Sequence, residues 1–255
     1  MGIDLQTRLV LDYAKKNGYV ESDVLFVGSP SLVLTHEPTL DPCRDYLINN
    51  YPNGWESVDI SQNQDVDFVA DFAVDDLGKK FKFIVDHGSL QHFYDPFSGL
   101  KNILRHLAPG GVAVHMLPFT GYGGFGYWQI SPSIFLGLEK MGMIKILKIL
   151  YFSQYNDTHH FTSTDWRVGE FHFSRRTRVC VVYQRKDNPI PKSLSFFQNS
   201  CFDHPQAKIY KKSANRLRFI INQVIAVLWE ELMQRPAPWR GDNRYLRYCK
   251  NKDLL

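Results

Sequence analysis

The stretch Phe81-Lys82-Phe83-Ile84-Val85-Asp86-His87-Gly88, read on to Asp95-Pro96 and then to Pro109-Gly110-Gly111-Val112-Ala113-Val114-His115-Met116-Leu117, decides the fold. Phe81–Val85 is a short run of aromatic and branched residues, which suits a buried strand. It breaks off at Asp86-His87-Gly88. Asp95 can cap the free amides of a helix, and Pro96 fits its first position. Phe97, Leu100, Leu104 and Leu107 recur at helical spacing and give that helix one apolar face. Pro109-Gly110-Gly111 ends it, and Val112–Leu117 reads as a second strand closed by Pro118. Strand, helix and strand in this order predict a right-handed crossover in a largely parallel sheet. Ligands of such sheets sit beyond the carboxyl ends of the strands. Here those ends are Asp86-His87-Gly88 and the loop after Leu117.

Working towards the N-terminus, Leu5–Lys16 predicts an amphipathic helix ended by Asn17-Gly18. Val24–Val27 is a strand that runs into Gly28-Ser29-Pro30-Ser31, a small-residue turn of the kind that faces a nucleotide. A plain turn with no ligand is the simpler reading of that segment alone, because Pro30 lacks a backbone donor. Asp41–Asn50 reads as a helix and Trp55–Ile60 as a strand. Asp59 at its end suits the two hydroxyls of a ribose, or else a simple turn. Val66–Phe72 reads as a third strand. Its Asp71 could accept from an adenine amino group while Phe72 covers the ring. Gly28, Asp59, Asp71 and Asp86 thus each follow a strand-like run, in an order that lines one sheet edge.

Towards the C-terminus, Gly121–Gln129 sets four glycines among Tyr122, Phe125, Tyr127 and Trp128. Those aromatics could stack on a flat substrate, hold a sulfonium, or tuck into the core. No lysine or threonine stands where a phosphate loop needs one. Ser133–Met141 predicts a helix, Ile144–Phe152 a strand, Gln154–Ser174 a loop or hairpin insertion, and Thr177–Tyr183 a final strand. Lys186–Pro191 reads as a linker. An amphipathic helix is predicted over Leu217–Met233. The tail could dock on the domain, cap the site or pair two copies as a homodimer.

The 255 residues allow one large domain or one with an appendage. A net charge of +4 permits an anionic partner without demanding one. The four cysteines, Cys43, Cys180, Cys201 and Cys249, show neither zinc nor CxxC spacing, so the expectation is no metal, reduced thiols and a cytoplasmic protein. Asp4, Arg8 and Asp12 interrupt any signal-peptide pattern, and no apolar run is long enough to span a bilayer. Adjacent histidines such as His159-His160 cannot both face one pocket from an extended chain, so they are a poor metal signal.

Phe83–His92, then Asn102–Gly111, resemble the later motifs of class I S-adenosylmethionine-dependent methyltransferases. Gly126–Pro132 is similar to a segment of a bacterial subgroup often found among genes for surface polysaccharides and secondary products. The resemblance covers about residues 20 to 186. It implies an α/β, Rossmann-like sheet of seven strands, the last antiparallel, with helices on both faces. Residues 1–186 would form that domain, and 187–255 a linker and C-terminal helical extension. It implies S-adenosyl-L-methionine as cofactor, lying over Gly28 and Ser29, with Asp59 and Ile60 at the ribose, Asp71 and Phe72 at the adenine, and Asp86-His87-Gly88 near the sulfur. The expected activity is in-line methyl transfer to a small molecule in biosynthesis, with Tyr122, Phe125, Tyr127 and Trp128 at the acceptor. His92, then His87, are the candidate bases; His115 reads as a core residue.

Three positions depart from the pattern. The first motif lacks the usual acid and glycines, Gln91 stands where Glu is frequent, and Phe125 where the subgroup often has His. They motivate a second hypothesis, a catalytically degenerate scaffold on the same fold. A nucleic-acid methyltransferase ranks last, because the Asn/Asp-Pro-Pro-aromatic signature is absent.

Overall fold

A computed structural model describes residues 2–20, 22–32, 43–61, 66–155, 158–164, 176–191 and 246–249. The elements are β1 (Gly2–Ile3), α1 (Leu5–Lys16), β2 (Val24–Val27), β3 (Ser31–Leu32), α2 (Cys43–Asn50), β4 (Trp55–Asp59), β5 (Phe68–Val69), β6 (Phe81–Asp86), a 3-10 turn (Leu90–His92), α3 (Pro96–His106), β7 (Leu107–Thr120), α4 (Ser133–Lys140), β8 (Ile144–Tyr155), β9 (Thr158–Thr164), β10 (Thr177–Arg185) and β11 (Leu246–Cys249).

Nine strands form the main sheet in the order β11-β9-β8-β10-β7-β6-β2-β4-β5. β5, β4, β2, β6 and β7 run parallel, and β10 lies antiparallel between β7 and β8. These seven strands are the arrangement that the sequence implies. The Gln154–Ser174 insertion supplies β9, which pairs with β8 as a hairpin and adds an edge strand. β11 joins that edge, within the stretch expected to be a helical tail. The helix expected over Leu217–Met233, and any dimer contact through it, lie outside the described residues.

The central strands send their side chains alternately into two cores from Phe83 onward in β6 and throughout β2. Leu25, Val27 and Ile84 face one core with Leu100, Ile103 and Leu104 of α3 and Phe135 and Leu138 of α4. Val24, Phe26, Phe83 and Val85 face a second core with Val10, Leu11 and Ala14 of α1 and Leu47 of α2. A parallel strand buried on both sides must read as a continuous apolar run, which is why β2 and β6 show no polar alternation. Each fully buried Phe or Leu contributes about 1.5–3 kcal/mol relative to exposure, so two such cores fix the register of the sheet.

Local chemistry sets the helix ends. Asp4 caps α1 by accepting from Thr7 N, and Asp95 caps α3 by accepting from Phe97 N with Pro96 in the first turn. α3 stops at His106, and β7 begins at once, earlier than the expected Val112. Pro109-Gly110-Gly111 makes an irregularity inside β7, not a separate loop: the pairing jumps from Phe81↔Leu107 to Phe83↔Val112. A Cβ at Gly111 would sit 2.9 Å from Lys82 O, so only glycine lets the two strands approach there. β5 is shorter than the expected Val66–Phe72. Among the described residues, no helix is long and apolar enough to cross a membrane.

Candidate functional site

The chain departs from β2 in two directions, to β4 and β5 on one side and to β6 and β7 on the other. The carboxyl ends of β2 and β6 therefore flank a switch point, where an open α/β sheet leaves a crevice. A cleft of about 1060 Å³ opens there. Its wall runs from Phe72, Asp71, Ile60 and Asp59 past Gly28 to His87 and Gly88, and on to Met116 and Pro118. His92, Tyr122, Phe125 and Tyr127 line it as well. Ser29, Asp86 and Trp128 do not, nor does Pro30.

The turn after β2 is stitched to β4. Gly28 N donates to Val58 O at 2.7 Å, and Ser29 N to Asp59 Oδ2 at 2.8 Å. Gly28 has φ +95°, which a side-chain-bearing residue rarely adopts, and it leaves the cleft floor bare above the strand. Asp59 Oδ1 accepts from Ser61 N and Ser61 Oγ, both at 3.0 Å. Partial burial pulls its carboxyl up, but those bonds and Ser29 outweigh it and hold it below the usual value. Asp71 spends Oδ1 on Ala73 N at 3.0 Å. Phe72 is buried with its ring 5.1 Å from that of His106, so its main work is packing the turn, not offering an open aromatic face.

Asp86 is closed off from the cleft. Its Oδ1 accepts from Ser89 N at 2.8 Å and Leu90 N at 3.3 Å, and Oδ2 lies 2.9 Å from His115 Nδ1. His115 Nε2 is 3.1 Å from the Tyr183 hydroxyl, and all three side chains are fully buried. The expectation that Asp86 faces the ligand is therefore corrected. A strand-end carboxylate beside two free amides folds back on its own turn, and here it holds the loop that carries His87 and Gly88.

His87 is flanked by a group that sequence reading missed. Arg178 of β10 donates Nη1 to His87 Nε2 at 3.2 Å, and Nη2 to Asp4 Oδ2 at 2.5 Å and to Gln6 Oε1. Burial, then the Arg178 charge, push His87 down to about 4, so the ring is neutral at physiological pH. Its Nε2 lone pair is taken by the guanidinium, which leaves a poor base. Asp4, although pulled up by burial, is held low by Arg178 and by the bond it accepts from Thr7 N. An arginine inside the apolar run Thr177–Tyr183 was the one visible signal.

His92 keeps its place on the cleft wall, edge-on to Phe125 with centroids 5.7 Å apart. Tyr94, 90% exposed, and Tyr127, 73% exposed, stand at the mouth. Trp128 turns its indole the other way. Nε1 donates to Phe93 O at 3.1 Å and Tyr94 O at 3.3 Å, fastening the glycine-rich loop to the segment after β6. Burial raises the Tyr122 phenol, so it stays protonated. Among the described residues, no group of three His, Cys, Asp or Glu side chains could hold a metal ion.

No protein-family model matches the sequence, and no curated protein matches it. Solved structures do. The N-methyltransferase NodS from Bradyrhizobium japonicum, in complex with S-adenosyl-L-homocysteine, aligns at a TM-score of 0.45 and 13% identity, over 70% of this chain and 84% of that one. An S-adenosylmethionine-dependent methyltransferase from Clostridium acetobutylicum aligns at 0.37 and 12%, over 70% and 90%. The [4+2]-cyclase SpnF aligns at 0.45 and 13%, over 70% and 80%. At such identities and TM-scores, these likenesses say nothing of this chain's chemistry.

Proposed function

We propose that this chain is a cytoplasmic S-adenosylmethionine-dependent methyltransferase that acts on a small molecule, a secondary metabolite or sugar-derived compound, in a biosynthetic route. The supporting observation is the convergence of Gly28, Asp59, Asp71 and Gly88 on one cleft at the carboxyl edge of the parallel strands. Their donor and acceptor sets fit an adenosine. Asp59 Oδ2 bonds once, to Ser29 N, and keeps a lone pair for a ribose hydroxyl. Asp71, with Oδ1 occupied, offers Oδ2 to an amino group at the β5 end. Gly28 presents bare backbone between them and Gly88.

When bound, S-adenosylmethionine supplies a methyl group already activated by a positive sulfur. The remaining work falls to the protein. The cleft walls align the acceptor and exclude water, and alignment alone can supply roughly 7–11 kcal/mol of a barrier. Tyr122, Phe125 and Tyr127 press the acceptor against the sheet edge. His92 takes the acceptor's proton. Neutral His87, locked to Arg178, shapes the floor instead of moving a proton.

A second reading has its own observation. The Ser29 amide, which a phosphate- or carboxylate-binding turn would present to a ligand, is spent on Asp59. A scaffold that no longer turns over would tolerate that.

Calorimetric titration with S-adenosylmethionine and S-adenosylhomocysteine tests the proposal. Saturable binding is expected, weakened at least tenfold in Asp59→Ala by loss of a charge-assisted hydrogen bond. Absence of heat at millimolar ligand ends the cofactor claim. Binding without any turnover to S-adenosylhomocysteine, across alcohol and amine acceptors, favours the scaffold.

A further inference from the structure

Arg176, Tyr122, Phe125 and His92 form a ladder along one wall of the cleft. The guanidinium carbon of Arg176 sits 5.9 Å from the centre of the Tyr122 ring. That ring lies 5.8 Å from Phe125, and Phe125 lies 5.7 Å from His92. Tyr122, Phe125 and His92 all line the cleft. Each contact is ordinary by itself, an arginine over an aromatic face and then tilted or edge-on ring pairs. Together they run from a cation to the candidate base.

The protein does not balance the cation end. Arg178 and Asp4 line the cleft there, but they pair with each other and are neutral as a unit. Neighbouring His87 is neutral at physiological pH. Arg176 is exposed, and among the described residues its contact is the Tyr122 ring, not a carboxylate. Tyr122 in turn spends its ring on Phe125 and Arg176 and its main-chain amide on Gln129, so among the described residues its hydroxyl is unspent. The charges of Arg178, Arg176 and Asp4 all act on that phenol, which places the four groups in one corner. The corner thus carries one surplus positive charge beside a hydroxyl donor. The other acids that line the cleft stand apart from it: Asp59 and Asp71 at the β4 and β5 end, and Asp95 at the cap of α3. A cleft polarised in this way draws an anionic group to the Arg176 side. Phe125, 54% exposed, leaves bare apolar surface between that side and His92.

Resting on the reading of this cleft as a methyltransferase site, we infer that the methyl acceptor is a carboxylic acid with a flat apolar body. Arg176 and the Tyr122 hydroxyl hold its carboxylate, its body lies against Phe125, and its reacting hydroxyl or amine faces His92. A single surplus charge suits a carboxylate better than a phosphate monoester, which carries about −1.5 to −2. The two rings between Arg176 and His92 set a minimum length. An acid whose hydroxyl adjoins its carboxylate cannot touch both ends.

The test uses 4-hydroxycinnamate and its neutral amide, 4-hydroxycinnamamide, which match in shape. Both are titrated by ligand-detected NMR into the full chain, alone and saturated with S-adenosylhomocysteine. The acid should bind about tenfold more tightly than the amide, the worth of a charge-assisted contact. Arg176→Gln should cut that preference to about threefold, and Arg176→Gln with Tyr122→Phe should erase it. Arg176→Lys keeps the charge and should retain most of it. Arg176 is exposed and the Tyr122 hydroxyl is unspent, so the fold should withstand these changes. Equal affinity of wild type for acid and amide, or binding of neither, overturns the proposal, as does a preference that survives the double variant. S-adenosylhomocysteine is titrated into the same variants. Weakening there, with 5′-methylthioadenosine unaffected, also overturns it, because the corner would then hold the donor's own carboxylate. A wild type that binds no S-adenosylhomocysteine and still prefers the acid supports the subsite and ends the methyltransferase reading.

Discussion

His87 illustrates how one residue's surroundings decide its chemistry. The sequence offers it as a base at a strand end. In the fold it is buried against Arg178 and lowered to about 4, whereas an unfolded histidine titrates near 6.5. A folded value below the unfolded one means that the unfolded chain binds more protons between the two. Stability is therefore complete above pH 6.5 and falls as the pH drops towards 4. The loss should reach about 2 kcal/mol by pH 5. Urea unfolding of wild type and His87→Gln at pH 7.5 and pH 5 measures it: the wild-type midpoint should drop and the variant's should drop much less. Equal drops would show that the ring is not held neutral. Residue-level legibility follows the same logic. Gly28 and Asp59 were readable because each ends a strand, where the alternatives are few. Arg178 and Asp4 were not, because their meaning lies in a contact across 174 positions.

At the scale of elements, the strand–helix–strand unit from β6 to β7 was legible, since apolar runs and a capped helix name themselves. What supports the Asp71 end of the cleft was hidden inside α3. Asn102 and His106 lie one turn apart on its buried face. Asn102 Nδ2 donates to Phe72 O at 2.9 Å and Asp75 O at 2.7 Å, and His106 Nε2 accepts from Leu77 N at 2.9 Å. A turn without strand partners is thereby pinned to a helix, and Asp71 is aimed. Sequence periodicity finds apolar faces, so polar residues within such a face pass as surface. Asn102→Ala strips two carbonyls of their donor and should cost about 1–3 kcal/mol. It should also weaken S-adenosylhomocysteine several-fold, since the turn that presents Asp71 loosens. Urea unfolding and titration check both; a destabilised variant with unchanged ligand affinity would detach that turn from binding.

For the molecule as a whole, the cleft is closed by joining its first residues to its last parallel-core neighbour. β1 pairs with β3 just past the Gly28 turn, Asp4 starts α1, and Arg178 of β10 reaches Asp4, Gln6 and His87 together. Arg178 and Asp4 keep 18% and 19% of their side-chain exposure, so solvent screens their attraction in part. Arg178→Leu removes the cation and takes one donor each from the partly buried Asp4 carboxylate and the buried Gln6 amide oxygen. The expected cost is about 2–3 kcal/mol, below that of breaking a fully buried pair. The loss should be local before it is global. Amide exchange across residues 2–16 should accelerate, while β6 and β7, buried on both faces, keep their protection. The pH response should change too: without the guanidinium, His87 rises towards its ordinary value, and the decline between pH 6.5 and 4 shrinks. Unchanged exchange in the N-terminal segment would mean that the helix rests on its apolar face alone, and that the Asp4–Arg178 pair does not hold the cleft shut.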